Sequence, residues 1–151
     1  MFRLYLAHSA HEKEQGKRIE NRLKDMGYDV YNPFDKEGRH EFFSNHGGVV
    51  YWEDAKVVWS GEPDHEVAEW IVNVDLEGVR QSDIVVAIYP QNLLTFGITC
   101  EHFEAFRHLR MPVYTYTPPE IKGHPWLIAH STKMFVELEE LMNFMGNLTK
   151  T

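Results

Sequence analysis

Short apolar runs alternate along the chain with longer stretches in which apolar residues recur every three or four positions, the pattern of strands alternating with helices. Phe2 to Ala7, apolar but for Arg3, reads as a buried parallel strand, which is covered on both faces and so need not alternate. Behind it Ser9 and Glu12 stand at capping-box spacing, Ile19, Leu23 and Met26 recur at helical spacing, and Gly27 is placed to close the helix in a left-handed cap. Tyr28 to Tyr31 is a second strand, ended by Asn32-Pro33. From about residue 34 to 62 the period is lost. Gly38, Gly47, Gly48 and Gly61 stand there beside Phe42, Phe43, Tyr51, Trp52 and Trp59, which predicts a long aromatic loop. Such a loop is either a binding loop or lid, or an excursion packed on its own aromatics.

Pro63 to Arg80 is helical in pattern, with Val67, Ile71 and Val74 as its apolar stripe, and Ser82-Asp83 breaks it. Ile84 to Tyr89 is the most apolar strand and belongs at the centre of the sheet; Pro90 ends it. Gly97 to Leu109 predicts another helix with Thr99 as its N-cap and Phe103, Phe106 and Leu109 facing inward. Val113 to Tyr116 is the next strand, stopped by Pro118-Pro119; a short helix or turn runs through Trp126 to Ile128, Lys133 to Val136 is a last strand, and Glu137 to Met145 a closing helix. The fold class is therefore α/β, a single-domain flavodoxin-like (Rossmann-like) three-layer sandwich with a mostly parallel, roughly five-stranded sheet over residues 1–151. In such sheets ligands bind beyond the carboxyl ends of the strands, where the strand order reverses. That brings two segments together, Tyr5 to Ser9 and Tyr89 to Glu101, and makes Ala7, His8, Ser9 and Gly97 candidate substrate-binding positions.

Composition narrows the partners. Twenty-three Asp and Glu against fifteen Lys and Arg give a net charge of -8, which disfavours a nucleic-acid polymer or an anionic membrane surface and leaves a small molecule. One cysteine excludes an internal disulfide and a multi-cysteine zinc site. The nine histidines are not set at metal-ligand spacing, since His65-Glu66 lacks a second histidine one helical turn on. No metal and no cofactor is expected. The first seven residues are too short an apolar run for a signal segment and lead into a charged helix, so the cytoplasm is the expected location.

Glu101 falls in the predicted first turn of the helix after the central strand, where free backbone N–H groups and the positive end of the dipole keep a carboxylate ionised. An ionised carboxylate can attack or stabilise an oxocarbenium-like anomeric carbon, although acids in first helical turns are also routine. Asp75 borders the buried stripe of its helix and can hold a sugar hydroxyl or pass a proton to a departing base; an exposed helix carboxylate is the plainer alternative. Tyr5 stands in the first strand, where its hydroxyl can reach Glu101 across the switch point or simply belong to a satisfied core tyrosine. Cys100 reads as a small buried residue.

Several stretches in register resemble one family. They are the run from Asn73 through Asp75 to Ser82-Asp83 with the strand Ile84 to Tyr89, then Gly97-Ile98-Thr99-Cys100-Glu101, and Met111-Pro112-Val113-Tyr114. The opening Leu4-Tyr5-Leu6-Ala7 and the segment Gly27-Tyr28-Asp29-Val30-Tyr31-Asn32-Pro33 belong with them. Together they are similar to the nucleoside 2-deoxyribosyltransferase family, including the related deoxynucleoside 5′-monophosphate N-glycosidases. The resemblance implies that Glu101 is the nucleophile that takes the deoxyribosyl group, that Asp75 assists, and that Tyr5 positions the glutamate. It also implies a homo-oligomer, a dimer or higher, in which a neighbour completes the pocket through the Pro125-Trp126-Leu127 region, with Trp126 as a substrate-binding residue. Two positions depart from the pattern. Thr95 stands where the transferases carry an acid, and a small hydroxyl there helps hold phosphate in the glycosidases, so a nucleotide substrate stays open. After the glutamate the family continues with a small residue, whereas His102-Phe103-Glu104 is bulkier.

The implied activity is cleavage of the N-glycosidic bond of a nucleoside or nucleotide, with a second base or water as acceptor. Leu6-Ala7-His8-Ser9 and Gly27-Tyr28-Asp29-Val30 also resemble Toll/interleukin-receptor domains that hydrolyse NAD, a likeness that stops after the second strand. A non-enzymatic nucleotide-binding module, with Glu101 a helix-start acid and the aromatic loop a partner surface, is the third reading.

Overall fold

The computed structural model describes residues 1–9, 12–35, 49–53, 56–60, 65–90 and 96–151. Five strands form one parallel sheet: β1 (Arg3–Ala7), β2 (Asp29–Tyr31), β5 (Ile84–Ile88), β6 (Val113–Tyr116) and β7 (Lys133–Phe135). Their order is β2-β1-β5-β6-β7, with Tyr5 in register with Tyr31 on one side and Val85 on the other. The chain runs outward from β1 to β2 on one side and from β5 through β6 to β7 on the other. The reversal between β1 and β5 that the apolar pattern predicts is therefore present, and the expected flavodoxin-like fold is the one found.

Alternation along the strands divides the core. Leu4 and Leu6 of β1, with Ile84, Val86 and Ile88 of β5, pack on helices α1 (Lys13–Asp25) and α5 (Leu138–Leu148) through Ile19, Leu23, Leu141, Met142 and Met145. Tyr5 and Ala7, with Val85, Ala87 and Tyr89, face α2 (His65–Arg80), α3 (Phe96–Phe103) and α4 (Pro125–Ala129) through Val79, Ile98 and Leu127. A one-residue shift of β1 would exchange these sets, so the pleat decides which face Tyr5 serves.

The helix ends show which local signals held. Gly27 has φ 96°, the N–H of Tyr28 donates to the Leu23 carbonyl at 3.2 Å and that of Gly27 to Lys24 at 2.9 Å, a Schellman closure. The capping-box reading is displaced: α1 begins at Lys13, and the Glu12 N–H donates to the Ser9 carbonyl at 3.0 Å in a preceding tight turn. Thr99 is not an N-cap, since α3 already runs from Phe96. Beyond Phe103 that helix widens into a π turn, Glu104–His108, closed by the Leu109 N–H on the Glu104 carbonyl and by Arg110 at φ 54°.

The predicted aromatic loop is corrected in part. Val49–Glu53 (β3) and Lys56–Ser60 (β4) form an antiparallel pair with Tyr51 opposite Val58. The β-branched and aromatic run on each side of a short polar break carried that signal, and the glycines around it hid it. Positions 36–48, 54–55 and 61–62 of the predicted loop, and 63–64 at the start of the predicted helix, lie outside the described residues.

Candidate active site

The central element is a tyrosine and a glutamate that lie 96 residues apart in sequence. Tyr5 sits fully buried in the middle of β1, and its hydroxyl donates to Oε1 of Glu101 at 2.9 Å. Glu101 itself is buried on α3. Hydrogen bonds from a hydroxyl to a carboxylate are among the stronger ones, and burial removes the competing water. Contrary to what its spacing predicts, Glu101 does not lie in the first turn of its helix. Because α3 starts at Phe96, Glu101 is its sixth residue, beyond the first turn where helix N–H groups are free and the dipole acts. What holds the carboxylate is a side chain from the neighbouring layer.

Tyr5 is held in turn. Its ring stacks on that of Tyr31 from β2 at 5.3 Å and 18°, and both rings fit beneath α2 because residue 78 is glycine. A Cβ at Gly78 would lie 2.7 Å from Cζ of Tyr31 and 3.1 Å from Cε2 of Tyr5. Asp75 is half-buried one turn before Gly78 on the same side of α2. Since α2 feeds β5 at the amino end of the sheet, that turn carries Asp75 toward the carboxyl ends of the strands.

The remaining candidates are placed as follows. Ala7 is buried at the end of β1. His8 points to the α1 side of the sheet: its ring lies over Gly16, where a Cβ would come within 2.3 Å, its Nε2 meets Oδ1 of Asn32 at 2.8 Å, and Asn32 donates to buried Glu20 at 2.9 Å. Ser9 is buried beside it. Gly97 is exposed in the first turn of α3 with open space where a side chain would go. Trp126, 58% exposed, lies in the first turn of α4 with its ring parallel to that of His130 at 5.7 Å. Thr95 lies outside the described residues. Cys100 is exposed, not buried as its size suggested. Among the described residues no group of three His, Cys, Asp or Glu is arranged to hold a metal ion.

Behind Glu101 lies a group that local pattern does not reveal. His102 is fully buried, with Nε2 2.6 Å from the carbonyl of His130 and Nδ1 2.8 Å from the hydroxyl of Tyr89. A carbonyl only accepts, so Nε2 carries the proton and Nδ1 accepts from Tyr89. Burial lowers His102 to about 4 and pushes the Tyr89 phenol well above its ordinary value, a hydrogen bond from Thr99 opposing and the charge of Glu101 adding to the latter shift. A histidine directly after the candidate glutamate was the available signal for this group; its partners come from the residue after β5 and from the α4–β7 turn.

A carboxylate clamped by a phenol beside the switch point of a flavodoxin-like sheet defines a class, α/β proteins with an acid at the carboxyl end of the central strands. The family is then shown by sequence. Residues 4–124 match the family model described as nucleoside 2-deoxyribosyltransferase, and the chain belongs to that family. No curated protein matches the chain in sequence. Among solved structures it is similar to a 2-deoxyribosyltransferase from Bacillus psychrosaccharolyticus (TM-score 0.64, 19% identity, covering 93% of this chain and 90% of that one). It is also similar to the Clostridium botulinum CMP N-glycosidase BcmB (TM-score 0.55, 14% identity, 97% and 98% covered). A receiver domain of a Pseudomonas aeruginosa sensor histidine kinase matches too (TM-score 0.53, 13% identity, 99% and 98% covered), so these likenesses carry the fold and no more. Among the described residues no helix is long and apolar enough to cross a membrane.

Proposed function

We propose that this chain cleaves the N-glycosidic bond of a nucleoside or nucleotide as a nucleoside 2-deoxyribosyltransferase, with Glu101 as the nucleophile. The observation that carries the reading is the 2.9 Å hydrogen bond from Tyr5 to Glu101 between two buried side chains. Holding one carboxylate oxygen fixes the plane of the group, so that attack requires little reorganisation. In the first half-reaction a Glu101 oxygen bonds to C1′ as the C1′–N bond breaks, its electron pair leaving on the base, which takes up a proton; Asp75 is the candidate to deliver it or to hold a sugar hydroxyl. In the second, the ring nitrogen of another base attacks C1′, loses its proton, and returns Glu101 as carboxylate.

Water in place of the second base makes the same site a hydrolase. Thr95, where the resembling transferases carry an acid, favours that reading with a deoxynucleoside 5′-monophosphate as substrate. Match to the family model extends to residue 124, well past the second strand where the likeness to NAD-hydrolysing domains stops, which favours the nucleoside reading over NAD. Trp126 and Ile128 are both more than half exposed on α4 and support an assembly in which a second copy covers this end of the sheet. The acidic balance supports a small-molecule partner over a polymer. A cytoplasmic setting and no cofactor complete the reading.

The deciding experiment incubates the protein with deoxynucleosides and their 5′-monophosphates, with and without a free acceptor base, and separates products by chromatography. Transferase activity yields a new nucleoside only when acceptor is present; hydrolase activity yields free base either way. If every nucleoside, nucleotide and NAD remains intact, the binding-module reading takes its place. Light scattering at working concentration tests the oligomer.

A further inference from the structure

We propose that His102 is a positioning residue for Glu101, a neutral imidazole strut that locks the second turn of α3 between the end of β5 and the α4–β7 turn. This rests on the reading of Glu101 as nucleophile. Three observations carry it. First, His102 is adjacent to Glu101 on a short helix, fully buried, and uses both ring nitrogens: Nε2–H donates to the His130 carbonyl at 2.6 Å, and Tyr89 donates to Nδ1 at 2.8 Å. Second, both anchors are themselves held. Tyr89 follows the central strand and its N–H donates to the Tyr116 carbonyl at 2.9 Å. His130 is buried, donates from Nδ1 to the Trp126 carbonyl at 2.7 Å and accepts at Nε2 from Arg107 Nε at 3.0 Å, while the ring of Phe103 lies 4.4 Å from its own. Third, the helix needs such a hold, because only eight residues are α-helical before it widens into the π turn.

The two bonds define a tautomer. Protonating Nδ1 would turn it from acceptor to donor and force the Tyr89 hydroxyl to accept in place of donating, and burial, which lowers His102 to about 4, keeps the acceptor form. Glu101 and His102 are successive residues pointing to different sides of the helix, so fixing the imidazole fixes the rotation of α3 at which Glu101 meets Tyr5. His102 is fully buried with both ring nitrogens engaged, so it acts only through Glu101.

The test compares wild type with His102→Ala, His102→Gln and Tyr89→Phe, and uses Tyr5→Phe as a reference. Turnover and KM are measured on whichever deoxynucleoside or monophosphate the wild type cleaves, and the ¹³C carboxyl resonance of Glu101, assigned with Glu101→Gln, is recorded at pH 7. A misplacement on the order of an ångström lowers turnover about 10²-fold, so His102→Ala is expected to lose about 10- to 100-fold in kcat with KM nearly constant. His102→Gln, which keeps one donor and one acceptor, recovers part of the loss. In His102→Ala the Glu101 resonance moves in the same direction as in Tyr5→Phe. Should the alanine variant not fold, Tyr89→Phe carries the test, with a smaller loss and the same direction of movement. A Glu101 resonance unmoved in the folded variants overturns the proposal, as does a loss confined to KM. A wild type that cleaves nothing overturns the reading of Glu101, while the resonance still decides whether His102 positions it.

Discussion

Replacing Gly78 by alanine separates a stability effect from an activity effect at one atom. The added Cβ would stand 2.7 and 2.8 Å from Cζ and Cε1 of Tyr31 and 3.1 Å from Cε2 of Tyr5. Carbon atoms rest at about 3.5–4.0 Å, so the Tyr31 ring must retreat by about 1 Å and that of Tyr5 by about 0.5 Å. They cannot do so independently, because they stack on each other at 5.3 Å and Tyr5 is fully buried. Overpacking of this kind costs about 1–3 kcal/mol, and alanine in place of glycine inside α2 returns about 1 kcal/mol in helix propensity. The net loss of stability is therefore small, up to about 2 kcal/mol by those same terms. The hydrogen bond does not share this compensation. A retreat of Tyr5 by about 0.5 Å stretches the 2.9 Å contact to the edge of hydrogen-bonding distance, and since a misplacement of about 1 Å costs about 10²-fold in rate, a loss of about 10-fold is expected. Thermal unfolding and initial rates of glycosidic cleavage on the same samples give both quantities. Gly146→Ala is the control, since its Cβ would sit 3.7 Å from Met26 Sδ in ordinary contact, and it should gain about 0.4–1 kcal/mol. A Gly78→Ala protein with wild-type rate would show that the Tyr31–Tyr5 stack does not position Glu101.

Glu101→Gln keeps the shape and removes the nucleophile, so cleavage should fall by about 10³-fold or more with circular dichroism and melting unchanged; residual activity near wild type would remove Glu101 from the reaction. Tyr5→Phe removes a charge-assisted bond of about 1.5–3 kcal/mol and should lower kcat by about 10- to 10²-fold, read as kcat at saturating substrate. Stability should fall with acidity in a window set by His102, whose value drops from 6.5 in the unfolded chain to about 4 in the fold because burial disfavours the imidazolium. The unfolded state then binds the extra proton, so this contribution is complete above pH 6.5 and is lost as pH falls toward 4, amounting to about 3 kcal/mol across the window. Denaturant midpoints measured from pH 7 to 4.5 should show the slope, and His102→Gln should flatten it.

The fold was legible where structure is written locally. Short apolar runs separated by helical periods predict a parallel sheet because strands covered on both faces must be apolar throughout, and the reversal of strand order follows from there. Gly27 announces its own cap. The hairpin at β3–β4 was missed because glycines around it masked a β-branched and aromatic run, and the start of α3 was missed because helix ends depend on what precedes them. Thr99 looked like a cap although Phe96 had already begun the helix.

At the site the division is sharper. Sequence named Tyr5, Asp75 and Glu101, and placed Tyr5 and Glu101 on neighbouring segments at the switch point, because topology alone brings the ends of β1 and β5 together. It offered Tyr5 as a residue that reaches Glu101, and an O–H···O contact at 2.9 Å is found between them, whereas the helix terminus that it also invoked lies a turn away from Glu101. Gly78 under the stacked rings has no local signature, and the His102 strut has only a histidine next to the glutamate, which does not name its partners. Both depend on atoms from elements distant in the chain meeting at hydrogen-bond or van der Waals range, and linear spacing carries no information about such distances.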